Sequence, residues 1–84
     1  MAHLSKYLPS AQKELDALPW DVQKRIASAV MNLESNPRPP GCKKLKTLDA
    51  YRIRVGDYRV IYKVHDAVLI VLVIKVAHRG ETYR

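Results

Sequence analysis

Residues 51–64, YRIRVGDYRVIYKV, read as two strands joined at Gly56-Asp57, a dipeptide suited to a two-residue primed turn. Side chains alternate between faces along a strand, and directly paired residues across such a hairpin share a face. The turn therefore sets the register: Val55 opposite Tyr58, Arg54 opposite Arg59, Ile53 opposite Val60, Arg52 opposite Ile61 and Tyr51 opposite Tyr62. One face collects Tyr51, Ile53, Val55, Tyr58, Val60, Tyr62 and Val64 and is the core side. The other gathers Arg52, Arg54, Arg59 and Lys63 around Ile61, with two arginines directly opposed. Like charges so placed destabilise a ladder, and nothing acidic offsets them on that face. A solvated face whose long stems cover apolar surface is one reading. Arginine at all three positions favours another, an anion-binding face, because the planar guanidinium fork suits bidentate phosphate recognition.

Downstream, His65-Asp66 separates the hairpin from AVLIVLVIKVA (67–77), which is apolar on both parities. Val68, Ile70, Leu72 and Ile74 fall on one side and Leu69, Val71 and Val73 on the other, as expected of a central strand covered on both faces. Upstream, HLSKYL (3–8) alternates as a short strand, with Leu4 and Leu8 on one side and Tyr7 on the other. Pro9 and Ser10 open a helix with Ser10 as its expected N-cap, carrying Ala11, Leu15 and Leu18 at helical spacing until Pro19 ends it. A second helix starts near Trp20-Asp21, with Val22, Ile26, Ala29, Val30 and Leu33 on one face opposite Gln23, Lys24, Ser28 and Asn32. Asn36-Pro37 stops it. Residues 36–50, NPRPPGCKKLKTLDA, lack an apolar period and are expected as an irregular surface connection. The order β-α-α-β-β-β predicts a small α+β fold, a mostly antiparallel four-stranded sheet with a helical hairpin packed on one face.

The chain has 84 residues, room for a single domain (1–84) with a modest core. Fifteen lysines and arginines against eight acidic residues leave a formal charge of +7, which points to an anionic partner. Cys42 is the lone cysteine, so no internal disulfide forms and a reducing compartment, the cytoplasm, is expected. No apolar run approaches the roughly 20 residues of a membrane-spanning helix, and MAHLSKYLPSAQKELD has no apolar leader core. His3, His65, His78 and Cys42 lack short ligand spacing, so neither a metal nor another cofactor is expected. No glycine-rich phosphate loop exists among the three glycines.

Four stretches together make the chain resemble the RelE-like toxins of the RelE/ParE toxin–antitoxin superfamily: PSAQKELDAL, NPRPPGCKKLK, YRIRVGDYRVIYKV and VIKVAHRGETYR. The resemblance spans nearly the whole chain. It implies a ribosome-dependent mRNA endonuclease acting on the ribosome with mRNA in its A site, and a cognate RelB-like antitoxin that holds it inactive. In such toxins basic residues of the second and third strands, an arginine just after the fourth and a tyrosine near the C-terminus form the active site. The matching positions are Arg52, Arg54, Arg59, Arg79 and Tyr83. Better-studied relatives carry lysines where this chain has Arg52 and Arg54, and some extend past the tyrosine into a further helix.

Cleavage of RNA by its own 2′-OH needs a base, positive charge around the phosphate and a proton for the departing 5′-oxygen. Arg52, Arg54 and Arg59 would hold the phosphate, and Arg79 would grip the same phosphate or the leaving side. Tyr83 would orient or deprotonate the 2′-OH, its phenol made easier to ionise by neighbouring guanidinium groups; packing on the last strand or stacking on a base are its ordinary roles. Arginine is a poor proton donor, which leaves His78 as the candidate acid, although a lone histidine at a strand end is commonly structural. Lys43, Lys44 and Lys46 form a basic loop expected, with Lys63, to contact RNA backbone rather than to catalyse. The competing expectation is the ParE branch, which shares the fold and poisons DNA gyrase without enzymatic activity. A general RNA-binding module is a third reading, recognised by strongly salt-dependent binding without cleavage.

Overall fold

The computed structural model of the protein describes residues 3–46 and 48–78. Its elements run β1 (Leu4–Tyr7), α1 (Pro9–Asp16), α2 (Trp20–Ser35), β2 (Lys43–Lys44), β3 (Tyr51–Val55), β4 (Tyr58–His65), a 3-10 turn (Asp66–Val68) and β5 (Ile70–His78). The strands form one mixed sheet in the order β1-β5-β4-β3-β2, with β1 parallel to β5 and every other pair antiparallel. The architecture is the expected α+β class. The hairpin has the register its turn demands, from Val55 opposite Tyr58 to Tyr51 opposite Tyr62. Gly56 has φ 58°, the left-handed conformation of a primed turn, which glycine adopts without a Cβ penalty.

The sheet has five strands rather than four. Lys43 and Lys44, expected in an irregular connection, pair with Arg52 and Tyr51, and the Leu45 N–H donates to the Ala50 carbonyl to close the intervening loop. Two lysines carry no apolar alternation, so only the hydrogen-bonding edge of β3 makes this a strand. The first helix also starts earlier than expected. Leu8, not Ser10, is the N-cap position, with no side-chain cap, because Pro9 brings its fixed φ to the first helical turn and Ser10 falls inside. In α2, Asp21 lies in the first turn, favourably placed for the helix dipole, and Asn36 turns extended ahead of Pro37.

The core lies between the helices and one face of the sheet. Ala11 and Leu15 of α1 and Ile26, Val30 and Leu33 of α2 meet Ile53, Val60, Tyr62, Val71, Val73 and Val76. β5 begins at Ile70, later than its apolar run suggested, because Asp66–Val68 coil into the 3-10 turn and Leu69 takes a left-handed φ of 55°. A bulge then breaks the β4–β5 register: Ile61 pairs with Lys75 but Tyr62 with Val73, which leaves Ile74 as the extra residue. The bulge changes the parity of β5, so Val71, Val73 and Val76 all reach the core. Ile70, Leu72 and Ile74, on the side expected to be equally covered, remain half-exposed.

Helix carboxylates close the exposed strand edges. Glu34 of α2 accepts from the Ser5 N–H (2.9 Å) and hydroxyl (2.7 Å), while its backbone carbonyl accepts from the His3 N–H (2.7 Å). Beyond the end of β1, Glu14 of α1 accepts from the Val76 N–H at 3.0 Å and pairs with Lys75 Nζ at 2.8 Å. The opposite edge, β2, is two residues long and made of lysine, two ordinary devices against edge pairing.

The connection from α2 to β2 is tied down by side chains. The Tyr62 ring is fully buried and stacks on Tyr51 at 5.9 Å, and its hydroxyl donates to the Pro37 carbonyl at 2.7 Å. Burial pushes the Tyr62 phenol well above its ordinary pKa, so it stays a donor. Tyr62→Phe should cost about 1 kcal/mol in urea unfolding, because it leaves that carbonyl unpartnered at a half-buried site. An unchanged midpoint would mean that water replaces the phenol without loss.

Arg38 donates to the Tyr51 hydroxyl (3.0 Å) and to Asp66 (3.0 Å), whose other oxygen lies 3.1 Å from His3 Nε2. Arg38, then His3, hold the Asp66 carboxyl below its ordinary 3.8, and Ser5 holds that of Glu34 below 4.5. Both folded values are depressed, so the stability these groups contribute is present above their unfolded values and is lost as pH falls through the folded ones. Urea midpoints should therefore decline between about pH 5 and pH 2. Asp66→Asn combined with Glu34→Gln should flatten that decline, and an equally steep fall in the double variant would assign it to other groups.

A candidate nucleic-acid interface

The register carries the hairpin's basic face across four of the five strands, on the side away from the helices. Lys43 pairs with Arg52, Arg52 with Ile61, and Ile61 with Lys75, forming one row across β2, β3, β4 and β5. Arg54, Arg59 and Ala77 form the next row, with the two arginines directly opposed as the turn position required. Lys63 lies on the same face, opposite Leu72. The expected cluster of Arg52, Arg54, Arg59 and Lys63 around Ile61 is therefore a feature of the folded chain.

Beneath these cations the surface is apolar and covered. Ile61 is 1% exposed and Ala77 2% exposed, while Arg52, Arg59, Lys63 and Lys75 are half-buried and Arg54 is exposed. Long basic stems lying over buried carbon explain this pattern. Lys75 is engaged by Glu14. Among the described residues no carboxylate pairs with Arg52, Arg54 or Lys63, and the buried Nε of Arg52 has no hydrogen-bond partner. A guanidinium offers five donors and no acceptor, so such a surface can bind an oxyanion directly.

The remaining candidates divide. Of the basic loop, only Lys43 joins the arginine face. Lys44 pairs with Tyr51 and faces the other way, its Nζ 6.0 Å from the Tyr51 ring centroid and 3.8 Å from Asp49. Lys46 is exposed in the loop. His78 pairs with Tyr58 and stands edge-on to that ring at 5.2 Å, while Ala77 is the residue beside Arg59. The strand register thus puts His78 on the opposite face from Arg59. Arg79 and Tyr83 lie outside the described residues. Among the described residues no cluster of histidine, cysteine or carboxylate could hold a metal, and no helix is long and apolar enough to cross a membrane.

Two basic groups had no place in the sequence reading of the site. Lys75 reaches the arginine face only because of the bulge. Arg25 lies against the hairpin turn: a Cβ on Gly56 would sit 3.1 Å from its Nη2. Neither has a signal in the sequence, since one depends on a register shift between strands and the other on how α2 crosses the sheet.

Known proteins resemble the chain over nearly its whole length. The family model described as ParE toxin of type II toxin-antitoxin system, parDE, matches residues 6–83. A RelE-like toxin protein of Escherichia coli is 31% identical over 81 residues, covering 94% of this chain and 85% of that protein. Among solved structures, the archaeal RelE–RelB complex from Pyrococcus horikoshii OT3 matches with a TM-score of 0.84 and 32% identity, over 98% of this chain and 100% of that one. The intact E. coli RelBE toxin–antitoxin complex matches at 0.82 and 27% identity, over 99% and 100%.

Proposed function

The chain belongs to the ParE-toxin family of type II toxin–antitoxin systems, within the RelE/ParE superfamily and with RelE-like toxins among its relatives, and from that premise we propose that it cleaves messenger RNA on the ribosome. The observation that carries this reading is the directly opposed Arg54 and Arg59 on the face away from the helices. Opposed like charges lower the stability of a ladder, and an RNA phosphodiester between them reverses the sign of that interaction.

In the reaction, the 2′-oxygen of one nucleotide forms a bond to the adjacent phosphorus as the bond from phosphorus to the 5′-oxygen breaks. Arg52, Arg54 and Arg59 hold the non-bridging oxygens and stabilise the charge that grows on them. Arg79 grips the same phosphate or the leaving side. Tyr83 takes or orients the 2′-OH proton, and water supplies one to the departing 5′-oxygen. Lys43, Lys63 and Lys46 add contacts to neighbouring phosphates without taking part in bond changes. A RelB-like antitoxin, acidic and amphipathic, covers the basic face in the resting complex. The solved relatives from Pyrococcus and E. coli are complexes of RelE with RelB, which supports a partner of this kind.

A second reading, gyrase inhibition without catalysis, is favoured by the match of residues 6–83 to the ParE toxin model. A translation reaction supplied with purified protein, with mRNA ends mapped by primer extension beside a gyrase supercoiling assay, separates the two. Codon-dependent cuts with unaffected gyrase are the expected result. Intact mRNA with inhibited gyrase would overturn the proposal.

A further inference from the structure

We propose that Trp20, Lys24 and Arg25 of α2 form a second contact site for the same RNA strand, reached from the arginine face along the edge of β3. This rests on the RNA reading above and extends it to a surface that the reaction itself does not use. Arg25 is exposed and its guanidinium lies over the hairpin turn: a methyl group at Gly56 would lie 3.1 Å from Nη2, 3.4 Å from Nη1 and 3.5 Å from Cζ. The glycine thus serves both the turn and the guanidinium laid over it. Asp21 lies one helical turn before Arg25, but no ion pair joins them, and no carboxylate of the described residues pairs with Lys24.

Two adjoining hollows connect this site to Arg54. One, of about 410 Å³, is lined by Lys24, Arg25, Ser28 and Val55 and shares Ala29 and Asn32 with the next, of about 390 Å³, which reaches Ile53 and Arg54. The groove follows the edge of β3 beyond Arg52, where β2 supplies no further partner. It carries cations at one end, Arg54 at the other, and hydroxyl and amide groups between. Trp20 is 71% exposed and lies four residues before Lys24, on the same helix face. An exposed indole beside cations is the pairing that single-stranded RNA uses, bases stacking on the ring and phosphates on the charges.

The test uses the full chain and an unstructured single-stranded RNA oligomer, with affinity followed by anisotropy across a salt series and by emission from Trp20, the only tryptophan. RNA should quench that emission. Lys24→Ala with Arg25→Ala should lower the slope of log affinity against log salt by about 1.4, roughly 0.7 for each phosphate that is no longer neutralised. Arg25→Lys should restore part of the slope, and Lys13→Ala on α1 should behave as the native chain. Unquenched emission together with a native slope in the double variant would overturn the proposal, as would weakened binding of the antitoxin alone, which would assign the groove to an acidic peptide. Arg54→Ala distinguishes the two levels. If it weakens RNA binding while the α2 variants do not, only the second site fails; if it too is without effect, the RNA reading itself fails.

Discussion

Arg59→Ala is expected to lower mRNA cleavage in a translation reaction by about 10²–10³-fold, the usual loss when one preorganised donor to a developing oxyanion is removed. Of the three hairpin arginines it should be the most costly. Its strand, β4, is paired on both sides along this stretch, with Arg54 opposite on β3 and Ala77 opposite on β5, so the backbone beneath the guanidinium has little freedom to move. Arg54 stands where β3 has lost its β2 neighbour and is more exposed, so Arg54→Ala should cost less. Arg59→Lys keeps the charge without the planar fork and should fall between the two. Arg54→Ala and Arg59→Ala each relieve the like-charge repulsion across the ladder, whereas Arg59→Lys retains it. Primer-extension mapping with matched thermal melts gives the answer. Undiminished cleavage by a folded Arg59→Ala protein would remove this face from the chemistry.

Ile61→Ala should destabilise the protein by about 2–5 kcal/mol, the cost of truncating a buried aliphatic side chain and leaving a cavity. Small domains hold only about 5–15 kcal/mol in total, so urea unfolding should show a large drop in midpoint. The expectation runs against the residue's place in the strand pattern, where Ile61 shares the solvent-side parity with Arg52, Arg59 and Lys63. At 1% exposure it is nonetheless as buried as Val30 or Leu33. Its paired neighbours are Arg52 and Lys75, both half-buried. Ile61 thus acts as the apolar floor on which the basic stems lie, and shortening it should also loosen the guanidinium heads. Ile61→Val should cost only about 0.5–1.5 kcal/mol. A loss below about 0.5 kcal/mol for Ile61→Ala would place the residue among ordinary surface substitutions.

The arginine face was readable from the chain alone because everything that builds it is local. A Gly-Asp turn and a two-residue period determine which side chains point together, and Arg54 opposite Arg59 follows by counting outward from the turn. The apolar stripe of α2, Ile26, Val30 and Leu33, is local in the same way and lies where its spacing requires. Counting fails where two strands disagree about length. The bulge opposite Ile61 and Tyr62 belongs to the pairing of β4 with β5 and to neither strand alone. It turns Val76 inward and brings Lys75 to the basic face, and no pattern within residues 67–77 announces it.

The sequence by itself determined the α+β class, the hairpin and its register, and the choice of cations for its outer face, since these rest on turn chemistry and periodicity over a few residues. Tertiary structure alone decided that Lys43 extends the basic row while Lys44 turns away, that His78 shares a face with Tyr58, and that Arg25 of α2 lies against Gly56. Each of these joins segments far apart in the chain, and their meeting depends on how helices and strands pack, a geometry set by the whole core rather than by the residues that touch.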